Sequence, residues 1–162
     1  MSMNLERSVG DCMTTKIIAT QPHHTLDQAL NLMLLNNVNH LPVLGPDFQL
    51  VGMVSDRDLR LAMDSPFQEL SLEQSTTALQ AHRVEEIMRT SPHVVEVSTP
   101  LQQAIRVMQA RQVGALPVVD SNNNLVGLVS RSDILKITTE LLDMEEGTEG
   151  SVILLTHRKR SA

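Results

Sequence analysis

Apolar positions along this chain follow two rhythms. Leu26, Ala29, Leu30 and Met33 recur at i, i+3, i+4 and i+7, the stripe of an amphipathic helix, and Leu101, Ala104, Ile105 and Met108 repeat it. After the first stripe, residues 41–44 and 50–55 are short apolar runs split by Gly45-Pro46-Asp47, a turn cluster, and read as two strands. After the second, residues 116–119 and 125–130 are split by Asp120-Ser121-Asn122-Asn123-Asn124 in the same way. A short helical turn at 9–13, echoed at 84–88, precedes a strand at about 17–20 or 94–97. Thr99, Pro100 and Gln102 read as the cap, first-turn proline and capping-box partner of the second stripe's helix. The first stripe's helix starts at His24 or Thr25. Further helices begin at Ser55 and Ser130, each followed three positions later by an aspartate.

The two halves match at a constant offset of 75 positions, as Met13 and Met88 do. Leu26, Ala29 and Met33 match Leu101, Ala104 and Met108. Val38, Leu41, Pro42 and Val43 match Val113, Leu116, Pro117 and Val118. Leu50, Val51, Gly52, Val54, Ser55 and Asp58 match Leu125, Val126, Gly127, Val129, Ser130 and Asp133. A register held this long without a gap makes the chain two copies of one unit. Each unit reads helical turn, β, α, β, β, α and has too few strands to cover both faces alone, so the copies are expected to pack on one another. The expected boundaries are 1–66 for the first copy, 67–83 for a linker with a short helix at 75–81, 84–144 for the second copy and 145–162 for a tail. Asp64-Ser65-Pro66 is read as a helix stop. The last helix is expected to reach Met144 and break at Glu145-Glu146-Gly147. Beyond it lie an apolar patch at 151–155 and a basic end at 157–160, read as a frayed tail.

Composition narrows the function. The 162 residues carry a formal net charge of −6, which repels nucleic acid and anionic membranes at long range. There is no Trp or Tyr, and Phe48 and Phe67 are the only Phe residues, so few rings are offered for stacking bases. Cys12 is the only cysteine, which rules out an internal disulfide and suits a reducing compartment. The first nine residues have no apolar run, so no secretory signal is expected, and no stretch approaches the roughly 18 apolar residues of a spanning helix. A cytoplasmic protein without nucleic-acid or membrane partners is the expectation. No His/Cys spacing fits zinc, no nucleophile–base grouping can be drawn, and Gly-rich phosphate loops are absent. The nine methionines fall mostly on apolar stripes as core filler.

What remains is the twin Ser-x-x-Asp at strand-to-helix junctions. Free N–H groups and the positive dipole end at a helix start favour a phosphate. A serine hydroxyl there can donate to a phosphate oxygen, and an aspartate one turn on can accept the hydroxyls of a ribose. The same pattern is also that of a plain N-cap with an acid in the first turn. Arg57 and Arg131 sit in that first turn, against the helix dipole, where a guanidinium could offset phosphate beside carboxylate; a solvated surface arginine is the other reading.

The runs Leu50-Val51-Gly52-Met53-Val54-Ser55-Asp56-Arg57-Asp58 and Leu125-Val126-Gly127-Leu128-Val129-Ser130-Arg131-Ser132-Asp133, with Leu41-Pro42-Val43 and Leu116-Pro117-Val118 before them, resemble the cystathionine-β-synthase (CBS) domain signature. Two in tandem resemble a Bateman module, and residues 55–66 resemble the stand-alone bacterial branch that includes acetoin-utilisation accessory proteins. The resemblance implies an α/β (α+β) fold of two βαββα repeats packed pseudo-symmetrically through their sheets. It implies dimerisation into a flat disc, two clefts for an adenosine phosphate, and no catalytic residue, metal or required cofactor. It assigns Ser55, Asp58, Ser130 and Asp133 the phosphate and ribose roles. Adenine would lie against backbone near His40, Leu41 and Pro42 or Gly114, Ala115, Leu116 and Pro117, with residues 15–18, ending in Ile18, or 90–93, ending in His93, on the opposite wall. Packing alone could also account for Leu41, Pro42, Leu116 and Pro117. Gly114-Ala115 lets a ring approach the backbone more closely than Asn39-His40, which favours the second pocket.

The function so implied is a regulatory module that binds AMP, ADP or ATP, with S-adenosylmethionine another adenosine ligand to consider. It would signal to an unknown protein partner through a conformational or dimer change. A nucleotide-independent homodimeric scaffold is the alternative; an enzyme built on Asp56, Asp58 and Asp133 has no nucleophile to support it.

Overall fold

The computed structural model describes residues 7–63 and 72–146. The expected Asp64-Ser65-Pro66 stop, the apolar patch and the basic end lie outside them.

Helix α1 (Leu26–Asn36) starts on Thr25, whose hydroxyl accepts from Gln28 N–H while Gln28 returns a bond to the Thr25 N–H. This capping box satisfies two of the helix's orphan donors. Strands β1 (His40–Leu44) and β2 (Leu50–Ser55) form an antiparallel hairpin, and α2 (Asp56–Met63) follows at once. Helix α3 (Leu72–Ala81) and the single turn α4 (Val84–Ile87) lead into strand β3 (Arg89–Thr90). The second copy continues with β4 (Val95–Glu96), α5 (Leu101–Arg111), the hairpin β5 (Ala115–Val119) and β6 (Leu125–Ser130), and α6 (Arg131–Glu146).

Three expectations change. Residues 17–20 make a single parallel bridge, Thr20 to Val43, and no strand. Thr99 does not cap α5: its hydroxyl accepts from Glu96 N–H at 3.0 Å, and Pro100 takes the N-cap position with no side-chain bond. The loop before the helix offered that hydroxyl a nearer donor. Helix α6 runs on to Glu146, past the expected end, before the glycine at 147.

The two copies are not separate bodies. Strand β3, at the head of the second copy, pairs antiparallel with β2 of the first, Gly52 opposite Thr90 and Met53 opposite Arg89. In the same register Thr14, at the head of the first copy, bridges Leu128 in β6. The helix starts are exchanged too: Leu101 N–H donates to the Arg7 carbonyl, and Leu26 N–H to the His82 carbonyl. Each lead-in therefore belongs to the other copy's layer. The core clusters follow this division. Leu79 and Val84 pack with Leu26, Ala29, Met33, Leu41, Val43, Val54 and Leu59, while Val9 packs with Val95, Ala104, Met108, Leu116, Val118 and Val129.

Two glycines permit the exchange. A Cβ on Gly127 would stand 2.5 Å from Met13 Sδ, and one on Gly52 2.8 Å from Met88 Sδ. Each methionine lies across the glycine of the opposite sheet, a close approach that only a residue without a side chain allows.

Candidate functional site

Between the two sheets lies one continuous crevice of about 950 Å³, lined from both copies. Both Ser-x-x-Asp turns open onto it. Each β hairpin ends at its serine and the next helix starts one residue later, so the twin turns are placed by the fold's pseudo-symmetry.

Both turns have the same geometry. Ser55 N–H and Oγ–H donate to Asp58 Oδ2 at 2.9 and 2.5 Å, and Asp58 N–H donates back to Ser55 Oγ at 3.3 Å. Ser130 and Asp133 repeat this at 2.7, 2.6 and 3.3 Å. The capping reading is thus realised in full, and each serine proton is committed to its aspartate. In both copies Oδ2 accepts two bonds, which fills its two lone-pair directions, and Oδ1 is the acceptor left for a ligand. Thr14 Oγ1 donates to Asp133 Oδ1 at 3.4 Å, and Arg89 Nη2 lies 3.5 Å from Asp58 Oδ1.

The crevice also brings together Ile18, His40, Arg57, His93, Gly114, Ala115, Leu116 and Arg131 from the sequence-based set. Leu41, Pro42 and Pro117 do not line it. All three are buried: Pro117 in β5, the central strand of its sheet, and Leu41 and Pro42 in β1, which pairs with β2 on one edge and meets the Thr20–Val43 bridge on the other. Leu116 contributes to the wall while its side chain packs in the core.

The space beside Gly114 is not free for a ring. A Cβ there would stand 2.6 Å from His40 Nε2, so the first copy's imidazole lies where the second copy's small residues leave room. Burial holds the His40 imidazole below its ordinary pKa; Asp56 and Asp58 oppose this and Arg131 reinforces it. Arg131 also donates to the Val113 carbonyl at 3.2 Å.

Thr14, Arg89 and Arg111 are site-lining residues that the sequence reading missed, and Lys16 lies on the wall expected at 15–18. The available signal was the repeat register itself, which sets Thr14 opposite Arg89. With them the crevice carries Lys16, Arg57, Arg60, Arg89, Arg111 and Arg131 against Asp56, Asp58 and Asp133. A cationic surplus in a chain of net charge −6 concentrates anions there. Two of these cations are partly engaged, Arg60 with Asp56 and Arg89 with Asp58. Among the described residues no group of three or more His, Cys, Asp and Glu could hold a metal ion, and no helix is long and apolar enough to cross a membrane.

Comparison with known proteins agrees with the repeat. The CBS domain family model matches residues 9–65 and 84–140. A CBS domain-containing protein of Dictyostelium discoideum is 37% identical over 135 residues, covering 83% of this chain and 93% of its own. A solved protein of Vibrio cholerae named for acetoin utilization (AcuB) is 31% identical, with TM-score 0.69 over 89% of this chain and 98% of that one. The Arabidopsis thaliana protein CBSX2, solved in complex with AMP, is 33% identical, with TM-score 0.67 over 83% of this chain and 98% of that one.

Proposed function

This chain belongs to the CBS domain family as a tandem pair of its repeats, and we propose that it is a regulatory module whose crevice binds adenosine nucleotides and reports their level to a protein partner. The observation that carries this reading is the pair of Ser-x-x-Asp turns facing one cationic crevice, each with one carboxylate oxygen left to take a ribose. At the starts of α2 and α6 the Asp56 and Arg131 N–H groups go to the Asn39 and Gly114 carbonyls and the Asp58 and Asp133 N–H groups to the serine hydroxyls, which leaves the N–H groups of Arg57 and Ser132 for a phosphate. The serine hydroxyl can serve a phosphate only by leaving its aspartate, so the arginines, with the single N–H groups of Arg57 and Ser132, are the primary phosphate donors. AMP in the similar CBSX2 supports the ligand class. S-adenosylmethionine, with its cationic sulfonium, suits this crevice less well than a phosphate does.

Signalling would follow from differential affinity. A ligand held by both copies favours the arrangement in which their helix starts face each other, with coupling typically ~1–3 kcal/mol. Leu61 on α2 and Leu135 on α6 are large exposed apolar side chains, a suitable surface for a second copy or a partner. We place the working form as a cytoplasmic homodimer without catalytic activity of its own.

Melting the protein with and without AMP, ADP and ATP tests the reading. At about 100 times Kd a ligand adds ~2.7 kcal/mol, which for a chain of this size raises Tm by roughly 5–11 °C. No shift with any of the three at millimolar concentration would favour the nucleotide-independent scaffold, a reading that His40 beside Gly114 keeps in view.

A further inference from the structure

The two clefts differ at several register positions, and one of these differences falls on the atom a ribose needs. In both copies Ser N–H and Oγ–H fill Oδ2 of the aspartate, leaving Oδ1. The residue that reaches Oδ1 comes from the exchanged lead-in of the other copy. It is Thr14 for Asp133 and Arg89 for Asp58. Thr14 presents a small neutral hydroxyl at 3.4 Å, which a ligand hydroxyl can replace with one of the same kind. Arg89 presents a guanidinium at 3.5 Å, on an arginine side chain 56% exposed beside an aspartate only 12% exposed. A ribose entering there must displace a charged donor from a carboxylate with little water to replace it.

Building on the nucleotide reading above, we propose that Arg89 guards the first cleft, so that nucleotide fills the Asp133 cleft first and the Asp58 cleft only at higher concentration. The position-89 side chain then sets the interval between the two occupancies. A tandem module with one guarded cleft responds over a wider concentration range than one with two equal clefts. The guard is placed by the β3 pairing of Arg89 with Met53, so it is fixed by the fold and not by a mobile loop.

Isothermal titration with AMP, ADP and ATP, on the full chain and on variants, decides the matter. The wild type should bind in two steps. Asp133→Ala should remove the tighter step and Asp58→Ala the weaker. Arg89→Thr, which gives the first cleft its counterpart's residue, should tighten the weaker step by about fivefold, the upper end for a half-exposed ion pair. That gain should vanish when Asp58→Ala is added. Arg89→Gln, which keeps length and removes charge, should give the same direction, and melting curves confirm that each variant is folded. Equal steps in the wild type, or a weaker step that Arg89→Thr loosens or leaves alone, would overturn the guard while the nucleotide reading stands. No binding by either the wild type or Arg89→Thr would remove the nucleotide reading and the guard with it.

Discussion

Gly114 and His40 are complementary in size across the two copies. The register sets Asn39-His40 against Gly114-Ala115, and the larger side chain occupies the volume the smaller residues leave. Gly114→Ala should therefore destabilise the fold by about 1–2 kcal/mol through overpacking. His40→Ala should remove most of that penalty, so a double-mutant cycle in urea should show coupling of at least ~0.5 kcal/mol. Additive effects would mean that the ring swings away without cost. The same imidazole makes stability depend on pH. Burial lowers its folded-state pKa below the ordinary 6.5, so the unfolded chain binds the proton more readily. The contribution is present in full above about pH 6.5 and is lost as pH falls from there through the lowered folded value. His24, also lowered chiefly by burial, acts in the same direction. Tm measured from pH 8 to pH 5 should fall across that window, and His40→Gln should flatten the fall without abolishing it. An unchanged slope in His40→Gln would show that the ring stays hydrated.

At the scale of elements, the exchange of lead-ins rests on a methionine lying over a glycine, once in each sheet. Met13 contacts Gly127 and Met88 contacts Gly52, positions that the repeat already pairs. Gly127→Ala places a Cβ 2.5 Å from Met13 Sδ, and with the Thr14 carbonyl at 3.3 Å behind it the sheet has little room to give. We expect a loss of about 1–3 kcal/mol, read as a lower urea midpoint at constant m-value, with Gly52→Ala similar or slightly milder. Neither substitution should act if the lead-ins pack elsewhere. The hairpins and long helices behind these contacts were legible in the sequence, because their apolar rhythm is long and repeated. So were the Ser-x-x-Asp turns, because the strand ends and the helix begins on the same residues twice. Strand β3 was not: it has two residues, both exposed, and no alternation to read. Its partner strand lies far upstream in the chain, Met53 for Arg89 being the nearer pair in sequence, and nothing local signals a pairing across copies. The Thr99 cap failed for a related reason, since a local motif cannot show that the hydroxyl has a nearer donor in Glu96. The missed site residues Thr14 and Arg89 are the functional consequence of the unread pairing.

For the whole molecule, exchanged lead-ins mean that neither repeat carries its own complete core. The first copy's hydrophobic cluster takes Leu79 and Val84 from the chain that follows it, and the second copy's takes Val9 from the far end. A fragment of residues 1–66 would lack both Leu79 and Val84 and the strand that covers β2. A fragment of residues 84–144 would lack Val9 and the Thr14 bridge to β6, exposing apolar surface worth ~1.5–3 kcal/mol for each large side chain left uncovered. Losses of that size consume much of the ~5–15 kcal/mol by which a domain is stable. The intact chain should therefore unfold as one unit, with equal calorimetric and van't Hoff enthalpies near 110 kcal/mol, from ~0.7 kcal/mol per residue. Each fragment alone should show the circular dichroism of a largely unfolded chain, and mixing the two should restore structure in proportion to concentration. Two separate thermal transitions in the intact chain, or a first repeat that melts cooperatively by itself, would mean that the copies are independent domains. In that case a ligand in the crevice could not couple them through the shared strands, and any signal would have to pass through the helices instead.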